Sequence, residues 1–107
     1  MGTPRLSALE QTALSVFVPR VRSLLGPRVT RIVLFGSRAR GEGRDDSDID
    51  LLVEIDGPTR ADRRGLVDLA CDVGIVHHLV LSPLVVATGS LHATPLGAQI
   101  EADGVTL

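Results

Sequence analysis

The sequence predicts an α+β fold, a small mixed β-sheet with flanking helices in the order α-β-β-α-β-α. Two stretches, Leu6 to Leu25 and Thr59 to Val76, place apolar residues at helical spacing. Three short apolar runs have strand length: Val29 to Phe35, Asp48 to Ile55 and Leu79 to Val86. The chain is 44% hydrophobic but only 2% aromatic, so its core must be aliphatic, which suits helices layered on a sheet.

The first helix carries Leu6, Leu9, Ala13, Leu14, Val16, Phe17, Val21, Leu24 and Leu25 at helical spacing. Ser7 with Glu10 three residues on reads as a capping box and starts it near residue 7. Pro19 is expected to kink or divide the helix, and Gly26-Pro27 to end it. The strand Val29 to Phe35 is bounded by Pro27 and Gly36. In the next strand Asp48, Asp50 and Leu52 share one face and Ile49, Leu51 and Val53 the other, with Asp56-Gly57-Pro58 closing it. The second helix presents Leu66, Val67, Leu69, Ala70 and Val73, and Cys71 within it reads as a small core residue. The third strand contains Ser82-Pro83, and a proline cannot donate to a ladder, so it is expected at an edge or a bulge. A last helix spans Ser90 to Ala102 with Pro95 in its first turns; Gly104 stops it and leaves a short tail, Val105 to Leu107.

Bulk properties narrow the function. The 107 residues suffice for one domain with one core, taken as 1–107. A net charge of −2, with two Phe and no Trp or Tyr, offers neither a basic nucleic-acid surface nor stacking platforms. A single cysteine excludes an intrachain disulfide and points to a reducing compartment. Without a membrane-length apolar run or a signal-peptide pattern, the expected location is the cytoplasm.

The chemistry concentrates between the first two strands. The run reads Gly36-Ser37-Arg38-Ala39-Arg40-Gly41-Glu42-Gly43-Arg44-Asp45-Asp46-Ser47-Asp48-Ile49-Asp50, with ten residues between the Gly-Ser pair and the Asp-x-Asp pair. Gly36 lets the backbone turn tightly and approach a ligand. Ser37 offers a hydroxyl and an amide to a phosphate oxygen, and a helical turn begun at Arg38 would aim free amides the same way. Arg38, Arg40 and Arg44 add positive charge. Asp48 and Asp50, one residue apart on a strand, share a face and repel unless a cation sits between them. Mg²⁺ is held in this way, by one or two carboxylates plus substrate phosphates. Taken singly, a Gly-Ser turn, a solvated Asp-x-Asp strand end and surface arginines are all ordinary features. The combination, at this spacing and between two apolar strands, is what points to a metal-bound triphosphate.

Leu34-Phe35-Gly36-Ser37-Arg38-Ala39-Arg40-Gly41 through Ser47-Asp48-Ile49-Asp50-Leu51 resembles the signature of the polymerase-β-like nucleotidyltransferase superfamily. The small size and the ending Ile100 to Val105 resemble its minimal nucleotidyltransferase (MNT) group, and the element order fits along nearly the whole chain. The resemblance implies Mg²⁺ (or Mn²⁺), ATP as substrate and transfer of a nucleoside monophosphate. It implies Gly36, Ser37, Arg38 and Arg40 at the nucleotide, and Asp48 and Asp50 as catalytic metal ligands. It also implies an antitoxin of a type VII-like toxin-antitoxin pair that adenylylates a tyrosine on a HEPN-domain ribonuclease toxin. Membrane and direct nucleic-acid binding are not expected.

One departure stands out. The family pattern places a third carboxylate on the next strand, whereas Leu79 to Val86 has none and Ser82 or Pro83 falls near its place. Asp68 and Asp72 fall on the polar face of the preceding helix. A second reading therefore stays open: a weak or inactive enzyme that neutralises a toxin by stoichiometric binding. Small-molecule modification is disfavoured, since no length remains for an acceptor domain. His77 and His78 read as helix-end residues favoured by the dipole, and with His92 they show no transition-metal ligand spacing.

Overall fold

Apolar spacing and capping chemistry build the helices where the sequence places them. The computed structural model describes residues 6–36, 39 and 48–107. Helix α1 spans Ala8–Leu25 and opens on the Ser7/Glu10 capping box, each side chain bonding the other's backbone amide. It buries Ala13, Leu14, Phe17, Val21 and Leu25 along one stripe. Pro19 lies inside α1 without dividing it; it sits on the exposed face. A single 3₁₀ turn, Gly26–Arg28, leads into β1, Val29–Phe35. Strand β2, Ile49–Ile55, is followed by α2, Arg60–His77, which is capped by a second box between Thr59 and Asp62. Strand β3 is Leu81–Ala87, α3 is Pro95–Asp103 and β4 is Val105–Thr106.

The sheet order is β3-β2-β1-β4. β1 is antiparallel to both β2 and β4, while β3 is parallel to β2, the direction that the α2 crossover imposes. The sheet is therefore mixed, as expected. Pro83 lies on the edge strand. The amide of Ile49 donates to Val80 O at 2.9 Å, so the ladder's alternation turns the Pro83 nitrogen away from β2, where a missing donor costs nothing.

Four details differ from the sequence reading. The last helix starts at Pro95 rather than Ser90: Thr94 caps it by accepting from the Gly97 amide at 3.0 Å, and residues 88–94 form turns. The tail is not loose chain but β4, too short to carry a periodic signal. Asp48 falls just before β2 rather than within it, and beyond Asp50 the strand is buried on both faces. Ile49, Leu51, Val53 and Ile55 join the main core under α1 and α2, and Leu52 packs with Val33 and Ile100 of α3 on the opposite face. Cys71 is exposed, not core; the buried stripe of α2 is Leu66, Ala70 and Val73, and Cys71 falls one step outside it.

Candidate functional site

The site forms where β1 ends beside the start of β2. Register pairs Phe35 with Asp50, so the residue after β1, Gly36, lies against the Asp50 side chain. Gly36 has φ 78°, and a Cβ built there would come within 2.5 Å of Asp50 Oδ2. Glycine is thus favoured twice, for the left-handed turn and for the approach of a carboxylate. Three residues further on, Ala39 is buried in the main core at 1% exposure.

Asp48 is exposed and immediately precedes β2, whereas Asp50 is half-buried within it. On β3, Ser82 is the register partner of Asp50. Its hydroxyl donates to Asp48 Oδ2 at 3.3 Å. Asp48, Asp50, Ser82 and the Gly36 backbone therefore converge at one end of the sheet. Asp68 and Asp72 do not join them; both are exposed on α2, which covers the other face. Burial, and next the charge of Asp48, push the Asp50 carboxyl above its ordinary value. Two carboxylates in this position are costly to ionise together, and a divalent cation between them removes that cost. The donor set is all oxygen, which suits Mg²⁺ or Mn²⁺. Among the described residues no cluster of three His, Cys, Asp or Glu side chains is gathered for a metal. Ser37, Arg38, Arg40 and Arg44 lie outside the described residues.

Other groups have structural roles. His77 ends α2 with Nδ1 2.8 Å from Val73 O, and His78 caps the helix in the left-handed conformation, as expected for helix-end residues. Arg28 makes a two-pronged ion pair with Asp62 at 2.5 and 3.1 Å, joining the turn before β1 to the start of α2. A cavity of about 720 Å³ opens at the far end of the sheet, lined by Arg31, Glu54, Thr88 and His92 among others. Its buried carboxylate is already partnered: Glu54 accepts from Thr30 Oγ1 at 2.8 Å and from Arg31 Nε at 3.4 Å. Sequence reasoning singled out the position of Ser82 but not its bond to Asp48, which depends on the parallel register.

The family model described as a nucleotidyltransferase domain matches residues 14–91, which include β1, β2, α2 and β3. The chain belongs to this nucleotidyltransferase family. A relative from Methanocaldococcus jannaschii, MJ0604, named as a candidate protein adenylyltransferase, is 33% identical over 76 residues, 71% of this chain and 72% of its own. A solved structure of a candidate minimal nucleotidyltransferase is 31% identical, covers 94% of this chain and 97% of its own, and has a TM-score of 0.60. A Shewanella oneidensis complex of a tri-AMPylated HEPN toxin with its MNT antitoxin matches the fold with a TM-score of 0.56 at 22% identity, covering 90% of this chain and 69% of its own. The minimal nucleotidyltransferase fold expected from the sequence is therefore the fold observed. Among the described residues no helix is long and apolar enough to cross a membrane.

Proposed function

We propose that this nucleotidyltransferase is a single domain that transfers AMP from ATP to a hydroxyl on a protein partner, with Asp48 and Asp50 holding the catalytic cation. The observation that carries the reading is the convergence of Asp48 and Asp50 at the end of the sheet, with the Asp50 carboxylate lying against Gly36. On this reading Ser37, Arg38 and Arg40, which follow Gly36 in the sequence, receive the triphosphate. When bound, Mg²⁺ would draw charge from the α-phosphate and orient it. The acceptor hydroxyl then loses its proton to solvent and its oxygen bonds to the α-phosphorus as the bond to the bridging oxygen breaks, and pyrophosphate leaves.

A protein acceptor is supported by the surface beside the site. Ile75 and Val76 are each 73% exposed and Val80 is 59% exposed. Ile75 and Val80 line one groove, and the Val80 carbonyl bonds the amide of Ile49, between the two aspartates, so this groove adjoins them. The AMPylated toxin in the Shewanella complex supports a HEPN-type partner, and hence an antitoxin role in the cytoplasm.

Incubation with α-labelled ATP, Mg²⁺ and the partner protein should label the partner, and Asp48→Asn/Asp50→Asn should abolish the signal. An unlabelled partner would refute transfer. The absence of a carboxylate on β3 favours one other reading, a stoichiometric antitoxin. That reading is established if the double variant still neutralises the toxin in cells.

A further inference from the structure

We propose that Ser82 positions Asp48 for the cation, a role that rests on reading Asp48 and Asp50 as the cation site. The two aspartates are held by different means. Asp50 is inside β2, paired with Phe35 on one side and Ser82 on the other, and its carboxylate lies against Gly36. Asp48 stands before the strand and is exposed. Its carboxylate is bonded by Ser82 Oγ, which donates to Oδ2 at 3.3 Å.

Ser82 is well placed to do this. Strand β3 is an edge, yet it is locked to β2 over seven paired positions from Leu81 to Ala87. The Ile49 amide bonded to Val80 O at 2.9 Å fixes its first residues. The Ser82 Cβ therefore projects beside that of Asp50, on the face that carries the carboxylates. A hydroxyl at this place donates to one oxygen of Asp48 and leaves the other free to face the cation. It orients the ligand without adding a third negative charge to a pair that is already costly to ionise. Partners of this kind, which orient a metal ligand from behind, typically govern metal affinity by about 10–100-fold.

The test is Mn²⁺ titration of the full chain, read from the free-ion signal in electron paramagnetic resonance, with no turnover required. Ser82→Ala should weaken Mn²⁺ binding by about tenfold. Ser82→Thr keeps the hydroxyl, suits a strand and should bind as wild type does. Ser82→Asp should bind Mn²⁺ more tightly, because its carboxylate faces the same point. Circular dichroism and thermal melts report folding of each variant, and the threonine variant keeps the test decisive if the aspartate variant misfolds. Wild-type affinity in Ser82→Ala, or equal losses in the alanine and threonine variants, would overturn the assignment. So would a folded Ser82→Asp that binds no more tightly. Equal Mn²⁺ binding by wild type and Asp48→Asn/Asp50→Asn would instead overturn the underlying reading of the aspartates.

Discussion

Replacing Gly36 with alanine separates the strain of a backbone conformation from the geometry of the site. Gly36 sits at φ 78°, where a side chain costs about 1–2 kcal/mol. At about 4–8 °C per kcal/mol for a domain of this size, the melting temperature should fall by roughly 4–16 °C. Gly89 is the matched control: its φ is 76°, and nothing lies within 4 Å of a Cβ built on it. Gly89→Ala should therefore lose similar stability. The two variants part at the metal. The new methyl at residue 36 would meet Asp50 Oδ2 at 2.5 Å. The carboxylate relieves that contact by rotating, which costs little stability but moves a ligand atom away from the cation. Mn²⁺ affinity should drop about tenfold or more in Gly36→Ala and stay unchanged in Gly89→Ala. Thermal melts and Mn²⁺ titration read both quantities. If Gly36→Ala binds Mn²⁺ as Gly89→Ala does, Asp50 does not hold the cation from its place against Gly36.

Asp50→Asn should melt above wild type at pH 7 without metal. Its carboxyl is raised in the folded state, so ionised Asp50 lowers stability above that folded value; added Mn²⁺ should reverse the ranking. Asp62 runs the other way. Hydrogen bonds from the Arg28 guanidinium, and next from the Thr59 backbone, hold its carboxyl well below the usual range. Its stabilisation is complete above the unfolded carboxylate value of about 3.9 and is lost as pH falls through the depressed folded value, so Asp62→Asn should flatten the stability loss in acid melts. Phe17→Ala removes a fully buried ring from the main core and should cost about 3–5 kcal/mol in urea unfolding. Ile75→Glu/Val76→Glu should leave folding and Mn²⁺ affinity intact while abolishing labelling of the partner; retained labelling would place the acceptor elsewhere.

Both long helices and the first two strands were legible in the sequence because each combined a clear period with a punctuating residue. Ser7 and Glu10, Gly26-Pro27, and Asp56-Gly57-Pro58 mark their ends. Elements without such a pairing were not legible. The two residues of β4 have no period, and their strand identity comes from the antiparallel ladder to Val33 and Leu34. Residues 88–94 are punctuated by Gly89 and His92 but are held by turn hydrogen bonds that composition does not encode. Cys71 was misplaced because an apolar helical pattern narrows the buried stripe without fixing its edges; Leu66, Ala70 and Val73 define the stripe only once α2 meets the sheet. At the site, spacing alone put Asp48 and Asp50 on one face. The contact of Gly36 with Asp50 and the bond from Ser82 to Asp48 arise from strand register, a long-range property that no local motif carries.

The proposed role of Asp48 and Asp50 is to hold a metal-bound nucleoside triphosphate. Its most direct test is equilibrium binding of a fluorescent, non-hydrolysable ATP analogue with Mg²⁺ or with chelator. Binding by wild type should require Mg²⁺ and should be lost in Asp48→Asn/Asp50→Asn. Equal binding with chelator, or undiminished binding by the double variant, would contradict it.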